Sequence, residues 1–313
     1  MRSASTQMSY YIGILKPDEI GFLEAVEIDR LRNGQIWKIE ANTAELLDVT
    51  SSPLNHHSAD SGEDIISTLR KRFPSLTLHK LNLAPGEYYP NMARPSSKIY
   101  YDTLGDNPDK SKSVMEARAQ NSGQLHALIN QLQEICQVVH PLGNNLKTFG
   151  HEIRNVLILA STEVEAHWKS VLKAHGVEGR NTTDYVKLAP ALKLPDFAVD
   201  FPWYPWMDAI KPFKNWIHSV SPTQNLAWYD SYNRVKHDRE SNFAEATLEC
   251  AFQAISGCFV MLCAQYGWDF ALRDEDANRA FLRLSAAPGW EPSEVYVPPL
   301  DGIWKPKRYP FAR

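Results

Sequence analysis

At 313 residues the chain is long enough for one large domain or two modest ones, and its 43% hydrophobic and 22% charged residues exclude global disorder. A net charge of −4 excludes a whole-protein basic field, so any nucleic-acid site has to be a local patch. Cys136, Cys250, Cys258 and Cys263 have apolar neighbours and no CxxC spacing, the pattern of reduced, buried thiols in a cytosolic protein.

The N-terminal stretch lacks the long apolar core of a signal peptide. Ser9–Leu15, rich in aromatic and β-branched residues, predicts a strand, as does Gly34–Ile39 after the turn signal Arg32-Asn33-Gly34. Residues 51–62 form a polar loop, and its His56-His57-x-x-Asp60-x-x-Glu63 reads as solvated rather than as a metal site. Ile65, Ile66, Leu69 and Phe73 predict a helix over Glu63–Phe73. Strands are expected at Leu76–Leu83 and Lys98–Tyr101. The Asp-, Asn-, Lys- and Ser-rich stretch 104–113 predicts a domain boundary, closing a mixed α/β region over 1–105.

Helical periodicity then takes over, and a helical bundle is expected over 113–285. Val114–Val139 carries Leu125, Leu128, Ile129, Leu132, Ile135 and Val139 on one stripe until His140-Pro141 stops it. A second helix is predicted from Leu146 to His175, ended by Gly176. A third runs over Leu226–Glu240. A fourth reaches Tyr266, starting at a capping box of Asn242 and Glu245 or continuing straight from the third. Cys250–Trp268 has no formal charge and approaches membrane-spanning length, but Gln253, Ser256, Gly257 and Gln265 favour the buried centre of a bundle. A short helix is expected at Asp274–Leu284. The insertion 177–225, with Trp203, Trp206, Phe213 and Trp216, reads as a lid packed by its own aromatics; a small-molecule pocket beneath it is the weaker alternative. Residues 286–313 read as a basic-aromatic tail. The whole is an α+β protein.

No GxxxxGK[ST], GxGxxG or GxSxG occurs, and His151-Glu152-Ile153-Arg154-Asn155 breaks the zinc-protease pattern at Asn155. No cofactor or metal is implied. The densest chemistry is LAWYDSYNRVKHDRESNF, Leu226–Phe243. On a helix, Tyr229, Asn233, Lys236 or His237, and Glu240 share one face, and Trp228, Tyr232, Val235 and Arg239 another that reads as core contact. A histidine beside a cation suits proton transfer at a ribose hydroxyl with charge stabilisation on phosphate, or simple anion binding. The same residues could instead join the carboxylates of the second helix in a buried polar network.

Taken with Phe149–Leu172, this segment resembles an uncharacterised family of bacterial proteins that share Tyr-Asn-x-x-Lys-His-x-Arg, here Tyr232 to Arg239. It is also similar to HEPN domains, all-α modules of prokaryotic toxin and defence systems. The resemblance spans about 113–268 and implies a cytoplasmic protein that binds RNA or a nucleotide, commonly as a homodimer and away from membranes. If it is an enzyme, the resemblance implies a metal-independent endoribonuclease. His237 would then be the acid/base, with Lys236 or Arg234 as phosphate clamp. Asn233, Arg239, Tyr229, Glu152, Arg154 and Asn155 would complete the binding site. Active HEPN ribonucleases carry an Arg separated from the His by four to six intervening residues, whereas the corresponding positions here are Tyr232, Ser231 and Asp230.

Overall fold

The computed structural model describes residues 8–15, 34–47, 55–97, 105–216, 221–271 and 280–311. It is an α+β structure of two compact units: one drawn from 1–88, 94–103 and 290–306, the other from 89–93, 104–289 and 307–313. The expected tail 286–313 is therefore not one piece, and the strand expected at Lys98–Tyr101 lies outside the described residues.

In the first unit, β1 (Ser9–Leu15), β2 (Gln35–Ile39), β3 (Thr43–Leu46), β4 (His56–Ser58) and β5 (Leu76–Lys80) form an antiparallel sheet in the order β4-β3-β2-β1-β5. The polar stretch 51–62 was expected to be all loop, but it contains β4. There His56 approaches Glu45 at 3.8 Å, and the His57 ring packs between Trp37 and Phe73. Alternation along β2 sends Trp37 and Ile39 to one face and Ile36 to the other. The first face packs on Ile65 and Leu69 of helix α1 (Ile65–Arg72), whose start is fixed by the Asp64 carboxylate accepting from the Ile66 and Ser67 amides. Ile12 and Ile36, paired in register on the second face, are covered by Val295 and Val297.

The second unit is built around three long helices: α2 (Lys112–Val138), α3 (His151–Ala174) and, later in the chain, Leu248–Tyr266. On α2 five of the six predicted apolar residues are buried, and Val139, which follows the last helical residue as its cap, is only half-buried. The predicted start of the second helix shifts, because Gly143–Lys147 winds as a separate 3₁₀ turn. Helix α3 ends in a Schellman motif. The Val177 amide reaches the Leu172 carbonyl, the Gly176 amide reaches Lys173, and Gly176 takes φ +74°.

Much of the insertion 177–225 is ordered. It contains α4 (Thr182–Tyr185), α5 (Leu188–Ala191) and a strand β6 (Ala198–Asp200) that pairs with β7 (Arg283–Ala286). Arg283 and Leu284 are thus in a strand rather than the expected helix, and residues 272–279 lie outside the described set. Trp216 and Phe213 are fully buried and stack on each other at 5.5 Å, the self-packing the aromatics predicted, and Trp216 also stacks on Trp168 of α3 at 4.6 Å. Trp203 and Trp206 stay exposed.

The third and fourth predicted helices are separate. Helix α6 (Ala227–His237) stops at Asp238, whose side chain caps α7 (Arg239–Asn242) by accepting from the Ser241 amide. The fourth, α8 (Leu248–Tyr266), starts at Thr247, whose hydroxyl accepts from the Cys250 amide; Asn242 caps nothing with its side chain. Helix α8 is long and apolar enough to cross a membrane by composition, but 83% of that window is buried, with α2, α3 and α6 packed around it. Gly267 ends it at φ +62°, where a Cβ would lie 2.2 Å from the Gly105 carbonyl oxygen.

Candidate functional site

Helix α6 runs antiparallel to α3. The Tyr229 ring lies 5.2 Å from Trp168 near the C-terminal end of α3, and Phe243, just beyond α6, lies 5.0 Å from His151 at its N-terminal end. Trp228, Tyr229, Ser231, Tyr232 and Val235 form the buried face of α6, so Tyr229, expected on the open face, belongs to the core. Its hydroxyl donates to Glu165 Oε1 at 2.7 Å, and Glu165 lies 3.6 Å from Lys169. Burial first, and then this carboxylate partner, push the Tyr229 phenol far above its ordinary range. The phenol is a fixed donor, not a proton carrier.

The other end of α6 is open. Lys236, His237 and Arg239 are exposed and Asn233 is half-buried. Lys236 donates to the Tyr232 hydroxyl at 2.8 Å and lies 4.9 Å from that ring's centre. The hydrogen bond holds its pKa above the ordinary lysine value, against a smaller opposing effect of burial, so it stays a cation at neutral pH. Tyr232, read from sequence as plain core, is therefore a positioning group. The i, i+4 spacing of Tyr232 and Lys236 is the signal that could have found it.

Arg234 is differently placed. It meets Asp230 at 3.0 Å and both carboxylate oxygens of Glu245 at 2.9 Å, so two carboxylates neutralise the alternative phosphate clamp. On α3, Glu152 and Asn155 are exposed, and Arg154 is half-buried with no hydrogen-bond partner for its Nε among the described residues. Among the described residues no hydrogen bond or ion pair joins these three to Asn233, Lys236 or His237. At about 1.5 Å per residue, His237 lies roughly 12 Å beyond Tyr229, toward the N-terminal end of α3. The polar network foreseen between the two helices is built by Tyr229 and Glu165, not by Asn233 and His237. Glu163 on α3 has its carboxyl pKa raised by burial.

Among the described residues, no group of three His, Cys, Asp or Glu side chains is arranged to hold a metal ion. No protein-family model, curated protein or solved structure matches the chain.

Proposed function

We propose that this chain is a HEPN-like protein that binds RNA or a nucleotide, with Lys236, His237, Arg239 and Arg154 supplying phosphate contacts and Asn233 a carboxamide beside them. The observation that carries this reading is the state of those cations. Among the described residues Lys236, Arg239 and Arg154 form no ion pair with a carboxylate, whereas Arg234 is paired twice. Lys236 and Arg239, exposed around the C-terminal end of α6 in a protein of net charge −4, supply local positive charge of the kind phosphate binding requires.

If the bound RNA is cleaved, His237 takes the proton from the attacking ribose hydroxyl, and Lys236, kept charged by Tyr232, stabilises the negative charge that builds on phosphate. The test is fluorescence anisotropy and gel cleavage with single-stranded RNA, in EDTA and at several salt concentrations, for wild type, Lys236→Ala and His237→Ala. Binding should weaken with salt, and Lys236→Ala should reduce the logarithmic salt slope by about 0.7. His237→Ala should abolish any cleavage while leaving the thermal midpoint unchanged. Absence of salt-dependent binding would overturn the proposal.

The second reading is a structural or interaction protein, favoured by the buried Tyr229–Glu165 bond, which accounts for half of α6 without any ligand.

A further inference from the structure

At the opposite end of α6 a hollow of about 660 Å³ opens between the segment 211–215 and residues 224–228, with Gln253 of α8 on its wall. Its volume falls in the roughly 300–1,000 Å³ range of small-molecule sites. Its chemistry is one-sided. The polar side chains around it are Lys211, Lys214, Asn215, Gln224, Asn225 and Gln253: two cations, four carboxamides and no carboxylate. Among the described residues neither lysine forms an ion pair, whereas Lys110, Lys169, Arg234 and Lys305 each pair with a carboxylate four residues away.

The floor is rigid. Trp228 is buried and its indole N–H donates to the Pro212 carbonyl at 2.9 Å, which ties the two walls together. A second hollow of about 430 Å³ adjoins the first and shares Lys211 and Gln253, but its further wall carries Asp208, Glu249 and Trp206. Charge therefore divides the two: an anion is favoured on the Lys214 side and opposed on the Glu249 side.

We propose that the Lys211–Lys214 hollow is a second ligand site, for a nucleoside phosphate. Lysine ammonium groups suit phosphate as point charges. Carboxamides present both donors and acceptors, and so can read the edge of a base. This site is separate from the Lys236–His237 end. Ala227 and Lys236 are nine residues apart on one helix, about 14 Å, and the inference does not depend on RNA binding there.

The experiment is isothermal titration of the full chain with adenosine monophosphate, ribose 5-phosphate and inorganic phosphate. The proteins are wild type, Lys214→Gln, the double variant Lys211→Gln/Lys214→Gln, and Lys236→Ala. Adenosine monophosphate should bind wild type and bind at least tenfold more tightly than either base-free probe. Lys214→Gln should weaken it about tenfold, the loss of one charge-assisted contact, and the double variant further. Adenosine monophosphate binding that persists in Lys236→Ala and is lost in the double variant belongs to this site, and binding lost only in Lys236→Ala belongs to the other, which keeps failure of the two sites distinct. The lysines are exposed, so all variants should melt as wild type does. The proposal is overturned by no binding at millimolar concentration, by equal binding of inorganic phosphate, or by binding that ignores the lysines and disappears in Lys236→Ala.

Discussion

The two ends of helix α6 belong to one eleven-residue segment, yet they solve opposite problems. At the N-terminal end every polar atom of interest is tied: Trp228 to the Pro212 carbonyl, Tyr229 to Glu165. At the C-terminal end Lys236 leans on a phenol, and His237 and Arg239 meet solvent. Buried polar groups must be paired because low dielectric makes an orphan costly, whereas exposed ones can stay open at little cost. Density of chemistry-bearing residues in a sequence therefore does not by itself mark a site. The open end of the cluster is the candidate, and the closed end is what holds it in place.

The largest effect expected from breaking the closed end comes from Trp228→Ala. The indole is fully buried against Phe213 and Tyr229, so truncation leaves a large cavity and an unpaired Pro212 carbonyl. A loss of about 3–5 kcal/mol is expected from urea unfolding. RNA affinity per folded molecule should be unchanged, because the side chain does not reach the Lys236 end. A cost below about 1 kcal/mol would mean that the insertion is not packed on α6 as described.

Two histidines sharpen the same contrast. His167 on α3 is buried, and the Gln265 carboxamide nitrogen, which also donates to the Met261 carbonyl, lies 3.1 Å from its Nδ1. With a donor aimed at it, Nδ1 acts as acceptor and the ring is neutral. Burial pulls its pKa from 6.5 down to about 4. A folded value below the unfolded one means that the contribution is fully present above about pH 6.5 and is lost as pH falls toward 4, at most roughly 3 kcal/mol. Denaturation midpoints followed from pH 7 to pH 4 should fall, and His167→Gln should flatten the decline. His237→Ala, on the open end, should leave the profile as it is. An identical decline in His167→Gln would remove His167 as its source.

Much of the fold was legible because it rests on local patterns. Ser9–Leu15 has the aromatic and β-branched content of a strand, the stripe from Leu125 to Ile135 has helical spacing, and Gly176 and Gly267 take the positive φ that ends α3 and α8. Strands β3 and β4 were missed because Thr43–Leu46 and His56–Ser58 are short, and β4 is a polar edge strand whose pairing is set by a distant partner. The break between α6 and α8 was misplaced because Asn242 and Glu245 mimic a capping box. The actual caps, Asp238 and Thr247, offer equally ordinary residues, and only the tertiary turn selects them. In the site, the residue types and the helix were readable, but which end was open was not. Tyr229 and Asn233 are one turn apart, and only the packing of Glu165 and Trp168 from α3 buries the first and leaves the second at the edge.

That last difference can be tested with a single atom. Tyr229→Phe keeps the ring against Trp168 and deletes only the hydroxyl that donates to Glu165. The carboxylate then keeps Lys169 at 3.6 Å but loses its 2.7 Å donor in a mostly buried place. Leaving a buried acceptor short of a partner costs about 1–3 kcal/mol, less than the cavity of Trp228→Ala and readable as a lower urea midpoint with unchanged slope. The double variant Tyr229→Phe/Glu165→Gln replaces the carboxylate with a neutral amide and should recover part of the loss, which a packing defect would not. If the closed end is only a scaffold, RNA binding survives both changes. A Tyr229→Phe protein that keeps its stability but loses RNA binding would instead place Tyr229 in contact with ligand, and the division of α6 into a closed and an open end would fail.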